Sequence, residues 1–428
     1  MGRDKDIRRH PRSDLPAEGR AADLSREFGS VLPRLAVIGE VYPDRTTSGA
    51  LLLYRLLRSY PPDRLLVVNN SDQGDQNPAT RLPGVPYRPL RYRIPRVIRN
   101  RFNPAWQVGS ALYVGRGLSE VTEAVGDFRP EAVLGVTQWF LWLAGAAFAR
   151  RRRIPLHLIL HDEWTTWTGG AGRIELVHFG MQLVMRRAYQ QARSRLCVSP
   201  GMAEQYERWF DAPGRVLYPS RGDDSPIPAL RVRKSWAGPP VVAFGGHVHS
   251  HQLGVAHLLR KMAEVLAALG GHLDLYTRNS VDWLASVGLT PPTVRVAGFF
   301  PAAEMAERAA ATAHALFLPA SFRPEEQVDA STLFPSKLAD YTAIGMPILV
   351  WGPTYSSAAR WAAENPDGAV LVAGDDPGPV RSAVLRLAAD REYAIRLAAA
   401  AITSGERYFD LGVARAMLYS ALSHQVSG

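Results

Sequence analysis

Three short segments carry residue types able to grip an anion, a ribose or a sugar hydroxyl. In Ser331-Thr-Leu-Phe-Pro-Ser-Lys-Leu-Ala-Asp-Tyr-Thr-Ala-Ile-Gly-Met-Pro-Ile-Leu-Val350, Pro335 and Ser336 mark a helix start, while Gly345 and Pro347 bracket the turn into a strand. Ser336, Lys337 and the unpaired N–H groups of that first turn make an anion site. Asp340 lies one turn further on, and a carboxylate there can accept both hydroxyls of a ribose. An amphipathic helix with a solvated Lys and Asp fits the same spacing.

The second segment, His161-Asp-Glu-Trp164, follows the apolar run Leu156–Leu160. A histidine at a strand end can bond a sugar hydroxyl, assist proton movement near neutral pH, or cap the following turn. Asp162 and Trp164 beside it favour the functional role. The third, Gly39-Glu-Val-Tyr-Pro-Asp-Arg-Thr-Thr-Ser-Gly49, is a long loop running into a helix. Gly49 permits close approach of a phosphate or simply eases the turn. It is no GxGxxG, which disfavours a dinucleotide cofactor.

These segments need strand ends to hold them. From Arg34 onward, short apolar runs alternate with helical-length segments, the pattern of a parallel sheet wrapped by helices. Strands are predicted at Leu35–Gly39, Leu65–Asn69, Ala132–Val136, Leu156–His161 and Leu196–Ser199, with helices such as Ala50–Tyr60 and Ile174–Ala192 between. A second series follows at Val241–Phe244, Leu273–Tyr276, Val294–Ala297, Ala315–Leu318, Pro347–Val350 and Ala369–Val372. Five prolines between Pro219 and Pro240 mark a linker, and Arg381–Ser404 and Asp410–Ser423 read as terminal helices. The expected architecture is α/β: two Rossmann-like, doubly wound parallel-sheet domains facing across a cleft. The expected divisions are a disordered leader (1–30), a first Rossmann-like domain (31–218), a linker (219–239), a second Rossmann-like domain (240–405) and a terminal helix (406–428) packing back on the first domain.

A chain of 428 residues, 46% hydrophobic and 21% charged, suits two globular domains and excludes wholesale disorder or a many-span membrane protein. The lone Cys197 allows no internal disulfide, sits in an apolar strand run, and fits a reducing compartment. Residues 1–30 lack the apolar core of a secretory signal. Val133–Ala149 is apolar and followed by Arg150-Arg-Arg-Arg153, which imitates a membrane span; a buried strand, a covered helix and the next strand explain it better.

Net charge is +10, and no acidic residue falls between Asp75 and Glu120, where Arg88, Arg91, Arg93, Arg96 and Arg99 are interleaved with Tyr87, Tyr92 and Phe102. Arginine with interfacial aromatics suits an anionic membrane surface or a phosphorylated lipid; a solvated loop is the alternative. No nucleic-acid reading motif accompanies the charge.

The segment Phe334–Val350 resembles the donor site of GT-B glycosyltransferases of the retaining, glycosyltransferase-family-four type. Leu160-His-Asp162 is similar to that family's active-site histidine loop, Cys197-Val-Ser-Pro-Gly-Met202 to the end of its first domain, and Val296-Ala-Gly-Phe-Phe-Pro301 to its "GF-P" loop. The resemblance implies transfer of a sugar from a nucleotide diphosphate donor, with retention, to a saccharide or lipid-linked acceptor in surface polysaccharide or glycoconjugate synthesis. It implies His161 as the catalytic histidine, Gly49 at the diphosphate, and Ser336, Lys337 and Asp340 at the nucleotide, with Asp340 where the family's ribose-holding glutamate stands.

Two positions depart from the family. Its first glutamate is here Thr332, with Glu325, Glu326 and Asp329 just upstream; its Gly-Arg and following lysine are here Gly246-His247 and Gln252. Lys337, Arg278 or His247 is then expected to supply the charge facing the diphosphate. The only DxD, Asp4-Lys-Asp6, lies in the leader, so neither metal nor cofactor is expected. The expected location is cytoplasmic, peripheral on the inner membrane face. The rival readings are a catalytically silent GT-B binding module and an inverting GT-B transferase or sugar-nucleotide epimerase.

Overall fold

The computed structural model describes residues 32–46, 48–70, 77–90, 104–162, 174–232, 236–249 and 252–423. The first half runs β1 (Leu35–Ile38), α1 (Ser48–Leu57), β2 (Leu65–Asn70), β3 (Tyr87–Leu90), α2 (Pro104–Val125), β4 (Ala132–Val136), α3 (Leu141–Arg152), β5 (Leu156–Leu160), α4 (Glu175–Gln191), β6 (Ser194–Cys197), α5 (Pro200–Phe210) and β7 (Arg215–Val216). All its strand pairings are parallel, in the order β3-β2-β1-β4-β5-β6-β7.

The second half runs β8 (Val241–Gly245), α6 (Leu253–Ala267), β9 (His272–Tyr276), α7 (Val281–Ser286), β10 (Val294–Gly298), α8 (Ala302–Thr312), β11 (Ala315–Pro319), α9 (Gln327–Thr332), α10 (Lys337–Ile344), β12 (Ile348–Trp351), α11 (Ser357–Glu364), β13 (Val370–Val372), α12 (Pro377–Ala389), α13 (Arg391–Phe409) and α14 (Leu411–Ser423). Its sheet is again parallel, ordered β10-β9-β8-β11-β12-β13.

Every residue of β1, β2, β4 and β5 is buried, because helices cover a parallel sheet on both faces and leave no side for polar alternation. The apolar stretch Val133–Ala149 is therefore β4 and α3, not a span, and among the described residues no helix is long and apolar enough to cross a membrane. Cys197 is buried at the end of β6, and burial pushes its thiol up to about 12.

Strands β3 and β7 escape the sequence reading because they are edge strands, Tyr-Arg-Pro-Leu and a two-residue Arg-Val, whose outer face needs no apolar run. The single predicted helix Arg381–Ser404 is α12 and α13, divided at Asp390, whose carboxylate accepts from Tyr393 N at 2.8 Å and caps the second helix.

Residues 217–232 carry no regular element, yet they are tightly bound. Arg221 is buried and donates to Ala339 O (3.1 Å) and Thr342 Oγ1 (2.9 Å) of α10. Arg55 of α1 clamps the same segment through Asp224 (2.9 and 2.6 Å) and Ser225. On α14, Arg415 donates twice to Arg55 O (3.0 and 2.7 Å) and Tyr419 Oη to Leu56 O (3.1 Å), so the C-terminal helix packs on α1. At the other junction Ser199 Oγ donates to Thr332 O (2.6 Å), and Arg360 of α11 pairs with Glu204 of α5.

Candidate functional site

Both sheets reverse direction between their first and fourth strands, at β1/β4 and β8/β11. A doubly wound sheet opens its ligand crevice at the carboxyl ends of the strands beside such a reversal. Gly49 and His161 follow strands of the first sheet; Gly246, His247 and Arg278 follow strands of the second, and Ser336, Lys337 and Asp340 begin α10 after β11.

Gly49 and His161, 112 positions apart in the chain, are in contact. A Cβ added at Gly49 would stand 3.1 Å from His161 Cε1 and 3.2 Å from Nε2, so only glycine lets the α1 N-terminus pass this close to the imidazole. His161 Nδ1 lies 3.2 Å from Asp162 Oδ1. The carboxylate fixes the tautomer with Nδ1–H donating and leaves Nε2 for another partner. Burial works most strongly on this ring and against its protonation, but the charge and the hydrogen bond of Asp162 together outweigh it and the pKa is raised.

In the second domain the turn after β8 is built around Lys337. Gly246 has φ 135°, and a Cβ there would meet Lys337 Nζ at 2.9 Å. The positive φ favours glycine, and the absence of a Cβ leaves the lysine end room against the turn. The ammonium stands 4.0 Å from the centre of the Phe244 ring, and no carboxylate among the described residues pairs with it. Burial lowers its pKa to about 7. Tyr341 fixes the turn, its Oη accepting from Gly245 N at 2.8 Å and donating to Gly245 O at 3.3 Å. The site thus offers one shielded cation without an anion, stabilised by ring quadrupole rather than by charge.

Asp340, one turn along α10, accepts from Ser225 Oγ at 2.7 Å through Oδ1. Burial raises its pKa, the Arg55 and Arg221 guanidiniums opposing. The candidate ribose ligand is therefore also tied to the segment joining the domains.

Other expected residues stand apart from this pair of clusters. Thr332 is fully buried, its Oγ1 donating to Val328 O (2.7 Å) within its own helix, which turns the hydroxyl away from any ligand. Ser336 is exposed and makes no side-chain cap. His247 is exposed and rests against His249 with ring centres 4.9 Å apart; Arg278, also exposed, stacks on Phe299 at 3.8 Å. Arg88 is no free surface cation: its guanidinium donates to Ala124 O and Val125 O (both 2.9 Å) and closes the C-terminus of α2. Arg91, Arg93, Arg96 and Arg99 lie outside the described residues.

Two carboxylates gain a role that spacing did not reveal. Glu40 accepts from Phe140 N (3.1 Å) and, through both oxygens, from Leu141 N (2.9 Å), capping α3. Glu326 Oε1 accepts from Gly254 N (2.9 Å) at the start of α6. The usable signal for Glu40 was a charged residue directly after a buried strand; its partners lie 100 positions away.

Residues 64–222 match a family model described as glycosyl transferase 4-like domain. No curated protein matches the chain. Among solved structures, the chain is similar to HepE from Anabaena in complex with UDP and glucose, at 15% identity and TM-score 0.61 over 92% of this chain and 100% of that one. It is also similar to sucrose-phosphate synthase from Thermosynechococcus elongatus (13%, 0.64, 91% and 98%) and to a glycosyltransferase from Rickettsia africae (9%, 0.59, 92% and 98%). Identities this low speak to fold, and the shared fold covers 91–92% of this chain. With two parallel-sheet domains of that architecture the chain has the GT-B fold, and its residues 64–222 are similar to a glycosyl transferase 4-like domain.

Proposed function

We propose that the protein transfers a sugar, with retention, from a nucleotide diphosphate donor held by the second domain to a saccharide or lipid-linked acceptor held by the first. The observation that carries this reading is Lys337: a shielded ammonium against Gly246 with no carboxylate partner among the described residues. A departing diphosphate supplies the missing anion, and a cation fixed where that charge develops lowers the barrier without reorganisation. In the reaction the bond from the anomeric carbon to the diphosphate oxygen breaks, and the acceptor oxygen takes its place as its proton passes to the departing diphosphate. His161, with Nε2 open, faces the reacting sugar; Asp340 holds the ribose; closure of the domains aligns the partners and excludes water. Lys337 serves where other transferases use a metal ion, and no cofactor is required.

A uridine donor is favoured because HepE was solved with UDP and with UDP-glucose. In the sequence, Arg91, Arg93, Arg96, Arg99 and Arg101 favour an acceptor carried on a phosphorylated lipid at the inner face of the cytoplasmic membrane, within surface polysaccharide or glycoconjugate synthesis. The test is a thermal-shift titration: UDP should raise Tm in proportion to the logarithm of its concentration above Kd. A full panel of nucleoside diphosphates producing no shift would overturn the donor site.

The withdrawal of Thr332 into its own helix favours one other reading, a GT-B module that binds the donor without turnover. Slow hydrolysis of a bound nucleotide sugar by pure protein distinguishes them, since only a competent site cleaves the donor.

A further inference from the structure

Helices α2, α3 and α4 lie side by side on one face of the first sheet. Of the fourteen exposed large hydrophobic residues among those described, six fall on two of these helices: Val108 and Leu112 on α2, and Leu176, Phe179, Leu183 and Val184 on α4. Leu112, Leu176 and Phe179 are 68%, 81% and 61% exposed. The spacings 108/112 and 176/179/183 put each set on one side of its helix. The remaining eight are distributed over the linker, the second domain and the C-terminal helix. A concentration of this kind on a soluble surface marks an interaction site.

Its position follows from topology. In a parallel sheet the crossover helices run opposite to the strands, so the first turns of α2 and α4 stand at the carboxyl edge of the sheet. Gly49 and His161 stand at that same edge. The apolar ridge is therefore beside the acceptor side of the cleft, not at the far end of the domain.

Its charge selects the partner. Toward their C-termini the three helices carry exposed arginines: Arg116, the run Arg150 to Arg153, and Arg186 with Arg187. The sequence of α3 contains no acidic residue and Glu175 is the only one in α4, whereas α2 carries Glu120 and Glu123, so the positive charge is concentrated on α3 and α4. At 1.5 Å per residue, Arg187 lies about 16 Å behind Leu176 along α4. If the apolar tip enters the headgroup boundary by about 5–10 Å, that arginine comes within about a Debye length of the lipid phosphates. A second copy of the chain fits poorly, because two-fold pairing would bring one positive cluster against another.

We propose that the N-terminal halves of α2 and α4 form a docking ridge that enters an anionic bilayer and sets the mouth of the cleft against the lipid surface. The proposal extends the reading of a lipid-borne acceptor given above, but its test involves no nucleotide. The full-length protein is sedimented with vesicles of phosphatidylglycerol mixed with phosphatidylcholine, and with vesicles of phosphatidylcholine alone. The wild type should partition onto the anionic vesicles and release partly as salt is raised. Leu176→Ser with Phe179→Ser, both at exposed positions, should lower partitioning at least about tenfold while circular dichroism stays unchanged. Arg186→Glu with Arg187→Glu should lower it about tenfold or more at low salt only. Failure of the wild type to bind anionic vesicles, or a serine variant that binds as well as the wild type, overturns the ridge. So does a wild-type dimer that the serine variant converts to monomer, for then a second copy covers the face. Vesicle binding by a protein that UDP does not stabilise upholds the ridge and overturns only the donor site.

Discussion

The two sheets share a strand order but treat the helix ends at their reversal points differently. In the first sheet, Glu40 at the end of β1 closes the N-terminus of α3 with a carboxylate that is 7% exposed. The positive end of a helix dipole is an anion site by default, and an internal anion already fills it. In the second sheet, the turn after β8 contains no acidic residue and is backed by Lys337 on Phe244 and Gly246. The one carboxylate nearby, Glu326, caps α6 through Gly254 N. On the proposed reading the second crevice, not the first, keeps an unneutralised cation for an incoming diphosphate, and a division of labour between domains of one architecture would come from where carboxylates are buried, not from the sheets.

On that view the first domain contributes to the reaction and little to donor binding, and His161→Ala is the sharpest way to break the comparison. Turnover should fall about a hundredfold or more, the usual range for a lost acid–base or polarising group. UDP affinity should stay within about twofold of wild type, since the partner of Nε2 is the reacting sugar. Near-normal turnover would reduce His161 to a residue that caps its loop.

Lys337→Met should do the reverse. UDP affinity should drop about 10- to 100-fold, as for a lost charge-assisted hydrogen bond. The unliganded variant should be no less stable at neutral pH. Burial holds Lys337 near 7 in the folded protein, so the folded state binds fewer protons than the unfolded one. Stability is therefore lost as pH falls from the ordinary lysine range toward 7, and methionine removes that loss. Binding of diphosphate restores the proton. Wild-type affinity should accordingly fall as pH rises above about 7, and the variant should lose that slope in isothermal titration.

Asp340→Asn should cost about tenfold in UDP affinity, a smaller effect, because one ribose contact is weakened rather than a charge removed. The amide keeps an acceptor for Ser225 Oγ. The sign for stability is again opposite to that for binding. A carboxyl whose pKa burial has raised contributes stability at low pH that is lost as pH rises through its folded pKa, so asparagine should hold or raise Tm at neutral pH. Equal nucleotide affinity in the two proteins would leave Asp340 as a tie between α10 and the linker alone.

The two sheets and most of their strands were legible in the sequence because buried parallel strands are unbroken apolar runs. Lys337, Asp340, Gly49 and His161 were legible as residue types at strand ends and helix starts. Their surroundings were not. That Lys337 has a ring beneath it instead of a carboxylate depends on β8 lying beside β11, a neighbour 70 residues away in the chain. That Asp340 bonds Ser225, and Ser225 bonds Arg55, depends on three segments meeting. Arg88 looked unpaired because two of its partners are main-chain carbonyls, which leave no mark in a count of charges, and its carboxylate partner, Asp127, lies far along the chain.

Glu40→Gln gives the smallest effect and the finest test of the comparison. If Glu40 serves only as a built-in anion for α3, its neutralisation should leave both turnover and UDP affinity within about twofold of wild type. It should nonetheless lower stability by about 1–2 kcal/mol, because a charge at a partly buried helix N-terminus is worth that much and the glutamine presents one acceptor oxygen where the carboxylate presents two. Urea unfolding at constant m would measure it. A variant that instead gained affinity for UDP would show that the first crevice takes an anion once its own is removed. Glu40 alone would then be what keeps a diphosphate from the first crevice. A variant that lost turnover without losing stability would move Glu40 from the scaffold to the reacting groups, and would join it to His161 across the carboxyl edge of the same sheet.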